Sequence, residues 1–96
     1  MKKSVLIKPR VWKRLRALPK SERIECLLAI FDLLDQFGRP HAHHGVGIRK
    51  LTPADFEFRG NRSMRFVFRI EKDAFHINHL ANHDEVRRLL RSGKLD

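Results

Sequence analysis

The segment FRGNRSMRFVFRI, residues 58–70, sets Arg59, Arg62, Arg65 and Arg69 among phenylalanines. A guanidinium stays charged at physiological pH and presents its donors as a planar fork, so a cluster of them suits phosphate recognition. The plainer use is a solvated surface, with Glu57 and Glu71 pairing two of the arginines. His83 adds a group that can move a proton near neutral pH. The remaining histidines are His41, His43 and His44 in one polar stretch, and His76 and His79 ahead of His83. Neither group has a companion cysteine pair, so no metal site is expected. HHGVG lacks the lysine and serine or threonine of a phosphate-cradling loop, and no serine–histidine–carboxylate spacing suggests a hydrolase triad. Asp32 and Asp35 read as the wet side of a helix.

Those side chains need a scaffold, and the apolar pattern supplies one. In SMRFVFRI, Met64, Phe66, Phe68 and Ile70 alternate with Arg65, Val67 and Arg69, so strand geometry sends the two sets to opposite faces. DFEFR alternates Phe56 and Phe58 with Glu57 and Arg59, which places Arg59 on the arginine face. AFHINHLA offers Phe75 and Ile77 inward, and His76 and Asn78 outward. GNRS and EKD are the turns. Upstream, SVLIKP reads as a strand ended by Pro9. Val11, Trp12, Leu15 and Leu18 recur at helical spacing until Pro19 interrupts. Ser21 caps a second helix with an apolar face of Ile24, Leu27, Leu28, Phe31 and Leu34, widened by Ile30, Leu33 and Phe37. Gly38 and Pro40 end it. Residues 39–55 form a loop with a short ordered piece at GIRKL. Asn82 and Glu85 make a capping box for a last helix with a Val86, Leu89 and Leu90 stripe and a basic exposed side. The expected fold is α+β: an N-terminal strand and a helical hairpin packed on an antiparallel sheet, with a short C-terminal helix.

Ninety-six residues suit one domain spanning 1–96. The 21 lysines and arginines against 11 acids give a net charge of +10, which calls for an acidic partner, most simply nucleic acid. Cys26 stands alone in an apolar pattern and reads as a small core residue, consistent with a reducing compartment. No run approaches the length of a membrane span or a signal peptide, so a cytoplasmic protein with no membrane partner is expected.

The element order, with LPKSERIECLLAIFDLLDQFG, GIRKL, DFEFRGNRSMRFVFRIE and HLANHDEVRRLL, resembles the RelE/ParE superfamily of toxins from bacterial type II toxin–antitoxin pairs. The likeness runs over nearly the whole chain and is most specific at FEFR…MRFVFRI. It implies a ribosome-dependent mRNA endoribonuclease, whose RNA 2′-hydroxyl attacks the adjacent phosphate while basic side chains stabilise the developing charge. By position it implies catalytic roles for Arg59, Arg65 and His83. Nucleic-acid contacts are expected from Arg49, Lys50, Arg62, Arg69, His76 and Arg87. No cofactor is expected, and the implied partners are a cognate antitoxin, the ribosome and mRNA. The chain departs from the pattern in having no tyrosine, with Arg87 where active members carry a C-terminal one, and in carrying Asp55 and Glu57 where RelE itself has lysines. Two acids there would repel a phosphate. The alternatives are a ParE-like inhibitor of DNA gyrase without chemistry of its own, or a nucleic-acid-binding relative with a decayed site.

Overall fold

The computed structural model describes residues 4–36 and 47–96. Five strands form one sheet: β1 (Ser4–Ile7), β2 (Arg49–Lys50), β3 (Asp55–Arg59), β4 (Met64–Glu71) and β5 (Ala74–Asn82). Their spatial order is β1-β5-β4-β3-β2. The β2–β3–β4–β5 ladder is antiparallel, as the alternation predicts, and β1 joins it by pairing parallel to β5. The ordered piece at GIRKL is β2, the far edge. Three helices complete the α+β fold: α1 (Pro9–Ala17), α2 (Lys20–Gln36) and α3 (His83–Ser92). Among the described residues no helix is long and apolar enough to cross a membrane.

Pro9 sits at the start of α1, where its missing N–H costs nothing. The other end is closed from outside. Arg23 on α2 donates to the carbonyls of Leu15 and Leu18, both at 3.1 Å, and the Leu18 amide also bonds to the Leu15 carbonyl at 3.1 Å. α2 starts two residues earlier than the Ser21 cap implies: Ser21 lies inside it, and the Arg23 amide bonds to the Pro19 carbonyl at 2.9 Å.

The larger correction concerns which side of α2 is buried. Cys26, Ile30 and Leu33 face the core, whereas Ile24, Leu28, Phe31 and Leu34 are 46, 57, 67 and 36% exposed. Both sets follow helical spacing. The real core face is rotated about a third of a turn from the expected one. The sheet decides this, because its inner face already holds Phe58, Phe66, Phe68 and Phe75, all fully buried. Their rings pack with centroids 4.8 to 5.8 Å apart. Burying each ring stabilises the fold by roughly 2–3 kcal/mol. Cys26, Ile30 and Leu33 of α2 pack into the same core cluster as those rings. Burial pushes the Cys26 thiol up to about 11, which leaves it protonated and inert.

Alternation holds along β3 and β4 but breaks once in β5. Val67 pairs with His79 and Phe68 with Ile77, so Asn78 is the extra residue of a bulge. Asn78 is therefore buried rather than displayed outward with His76. Beyond the bulge the phase flips, Leu80 joins the inner core, and His79 and Ala81 turn outward. α3 then lies on the outer face, where Val86 and Leu95 close over Val67 and Ala81. The expected capping box forms: Asn82 accepts from the Glu85 amide at 2.9 Å, and Glu85 accepts from the Asn82 amide at 3.0 Å. Gly93, at φ 72°, ends the helix in the left-handed conformation. Leu90 falls outside the buried stripe and is exposed. Phe37, Gly38, Pro40, His41, His43 and His44 lie outside the described residues.

Candidate nucleic-acid interface

Arg59 closes β3 and Arg65 follows the first residue of β4; the register sets them directly opposite each other. The turn between them is built by Asn61. Its side-chain oxygen accepts from the amides of Ser63 at 2.9 Å and Met64 at 2.8 Å, and its amide group donates to Glu22 on α2 at 3.3 Å. Gly60 is also required there. A Cβ at that position would stand 3.0 Å from the Phe66 ring and 3.1 Å from the Cys26 sulfur. Buried packing thus fixes the β3–β4 turn, and the turn sets Arg59 and Arg65 opposite each other in register, with the phase of the outer face. Among the described residues no ion pair engages Arg59 or Arg65.

The acids on that face are accounted for. Asp55 is opposite Arg69 and receives a forked pair of hydrogen bonds from it at 3.0 and 3.1 Å, with Thr52 donating a third at 2.7 Å. Burial pushes the Asp55 carboxyl up, but the bonds from Arg69 and Thr52 outweigh it and hold the group below its ordinary value. The same contact raises the Arg69 guanidinium further above its own. Glu57 is buried and reaches Arg49 across the β2–β3 pair at 3.0 Å; its second oxygen has no hydrogen-bond partner among the described residues. The repulsion expected from Asp55 and Glu57 is therefore largely cancelled. The cost is that Arg69 and Arg49 are each held by a carboxylate.

Of the remaining sequence candidates, His83 opens α3, two residues beyond Ala81, the β5 partner of Arg65. It lies at the same end of the sheet as the arginine pair and is exposed. Arg62 is exposed in the turn itself, and Arg87 is exposed on α3. His76 pairs with Arg69, at the opposite end of the face. Lys50 is opposite Phe56, so it has the phase of the inner residues on an edge strand. Among the described residues no three histidines, cysteines or acids gather to hold a metal.

The sequence reading missed two features. The first is the exposed stripe of α2, where Ile24, Leu28 and Phe31 run along one side with Glu25 and Asp32 beside them. Its helical spacing was visible, but not its outward direction. The second is a cleft between α1 and α3 in which Arg14 forks onto Glu85 at 2.9 and 3.2 Å. Those hydrogen bonds from Arg14, with the Asn82 amide, hold the Glu85 carboxyl below its ordinary value. These partners are 71 residues apart, and no local pattern announces them.

Solved structures share this arrangement. RelE in the archaeal RelE–RelB complex from Pyrococcus horikoshii OT3 superposes with a TM-score of 0.65 at 23% identity, over 85% of this chain and 96% of that one. The fold is that of the RelE-like toxins. A YoeB dimer from Staphylococcus aureus matches at 0.64 and 17% identity, covering 86% of this chain and 99% of that one. The S. aureus YoeB–YefM complex matches at 0.60 and 18% identity, covering 86% and 99%. No protein-family model and no curated protein matches the sequence. The RelE-like fold thus spans the neighbours almost end to end, and Arg59, Arg65 and His83 occupy one end of its sheet.

Proposed function

We propose that this chain is the toxin of a toxin–antitoxin pair and acts as a ribosome-dependent mRNA endoribonuclease. The observation that carries the reading is the Arg59–Arg65 pair, opposite each other in register on an outer sheet face and in no ion pair among the described residues, at the same end of the sheet as His83. Two such arginines in a protein of net charge +10 make a strong phosphate site. Bound there, an RNA phosphate is attacked by its own 2′-hydroxyl. The 2′-oxygen–phosphorus bond forms, the bond to the 5′-oxygen breaks, and a 2′,3′-cyclic phosphate and a 5′-hydroxyl result. Arg59 and Arg65 stabilise the charge that builds on the phosphoryl oxygens. His83 moves the proton that the reaction must transfer, the task left to it in a chain without tyrosine.

An antitoxin partner fits the same reading. RelE and YoeB of the matching structures were solved with RelB and YefM. The apolar stripe of Ile24, Leu28 and Phe31 is the kind of exposed surface that a partner helix covers. The test is expression of the wild type and of Arg65→Ala. Growth arrest with ribosome-dependent mRNA cleavage by the wild type, both lost in the variant, supports the reading. Arrest with intact mRNA and inhibited DNA supercoiling would replace it with gyrase inhibition.

A further inference from the structure

A cleft of about 450 Å³ separates α1 from α3 over the far half of β5. Arg10 and Arg14 lie one turn apart on α1 and so share a side of that helix. Arg88 faces them from α3. The Arg14–Glu85 fork ties the two walls together and cancels the one acid in the lining. Arg10 and Arg88 remain without an ion pair among the described residues. One of Arg10's five donors goes to the Asp96 backbone oxygen at 2.9 Å, which orients the group and leaves its other donors for a ligand.

The floor is of a different kind. Ala81 and Leu89 give it an apolar surface. His79, more than nine-tenths buried, contacts the Lys94 carbonyl through Nε2 at 3.0 Å. A carbonyl only accepts, so Nε2 carries the proton and Nδ1 is left as an acceptor in the neutral ring. Burial, together with the positive charge of Arg10, holds the imidazole below its ordinary value, which keeps that ring neutral.

We infer that this cleft is a second phosphate site, which takes one nucleotide unit of a bound RNA apart from the Arg59–Arg65 pair; it rests on the RNA reading above. Arg10 and Arg88 meet the phosphate, the apolar floor meets the flat base, and the volume lies within the range of small-ligand pockets. A lone aspartate or glutamate side chain would use the cations and leave the apolar floor unfilled, so the chemistry favours a nucleotide over an acidic peptide. Ala81, on the floor, is opposite Arg65 in the β4–β5 register, so the cleft begins one strand over from the first site.

The test is an NMR titration with adenosine 5′-monophosphate, reading the Ala81 and Leu89 methyls and the His79 ring. Shifts are expected in the wild type and in Arg65→Ala. They should weaken at least tenfold in the Arg10→Gln/Arg88→Gln double variant, whose melting temperature should match the wild type. The same double variant should lower the salt dependence of single-stranded RNA binding by about 0.7 in log–log slope, the value of one phosphate contact. Shifts confined to residues around Arg59 and Arg65, or cleft resonances moved only by a glutamate-rich peptide, would overturn the inference. A wild type that binds the nucleotide in the cleft but cuts no mRNA would leave the site standing while the cleavage reading falls.

Discussion

The outer sheet face has two ends, and both carry arginines on β4. At one end Arg69 is opposite Asp55, and a forked ion pair closes on itself. At the other, Arg65 is opposite Arg59, and like charges face each other. Residue type, strand and face are the same at both ends, so what distinguishes them is the cross-strand partner. Opposite charges directly across a sheet stabilise it, whereas like charges cost stability. The first end therefore strengthens the fold, and the second carries a repulsion that the phosphate of the proposed function would relieve. A protein does not gain stability by setting two arginines directly opposite each other across a strand pair.

That contrast can be broken from either end. The largest effect is expected at the unpaired end. Arg65→Ala or Arg59→Ala should reduce RNA cleavage on the order of 100-fold or more, as loss of one charge-stabilising donor does. Melting temperature should hold or rise slightly, because a repulsion has been removed. At the paired end the outcome should invert. Asp55→Ala strands Arg69, which is only 30% exposed, and should cost about 2 kcal/mol, or roughly 10 °C in Tm, while cleavage changes less than about tenfold. Gly60→Ala tests the turn that aligns the unpaired end. The new Cβ presses on the Phe66 ring, which is held in the core by Phe58, and the expected cost is about 1–2 kcal/mol with a few-fold loss of cleavage.

Acid separates the two ends without mutation. The Asp55 carboxyl titrates lower in the folded protein than in the unfolded chain, whose ordinary value is 3.8. Its stabilisation is therefore complete above that value and is lost as pH falls through the folded one. Chemical denaturation below pH 4 should show the wild type losing stability that Asp55→Ala has already lost. The smallest change belongs to the turn at the far end of β4, where Lys72 holds φ 56°, a left-handed conformation that glycine adopts more freely. Lys72→Gly should shift stability by less than about 1 kcal/mol and leave cleavage unchanged.

Much of this architecture was legible in the sequence, because period two is a local property. The phenylalanine and arginine faces, the Asn82 capping box and the order of elements follow from neighbouring residues alone. What was not legible depends on distant partners. The bulge at Asn78 reverses the phase of β5 through its pairing with Val67 and Phe68, which lie on another strand. α2 is apolar on two sides, and it is the assembled core, not the helix's own pattern, that has Cys26, Ile30 and Leu33 turned inward. The arginines themselves were visible, but their division into held and unheld groups was not. It required knowing that Asp55 is opposite Arg69 while Arg59 is opposite Arg65.

The most direct measurement follows the guanidinium Nε–H signals of Arg49, Arg59, Arg65 and Arg69 by NMR while a short uncleavable RNA, carrying 2′-deoxy sugars, is added. Phosphate held by the unpaired arginines predicts that Arg59 and Arg65 shift and saturate together, with Arg49 and Arg69 staying on their carboxylates. Equal movement of all four signals, or movement of Arg69 with Arg59 and Arg65 unmoved, would contradict the account.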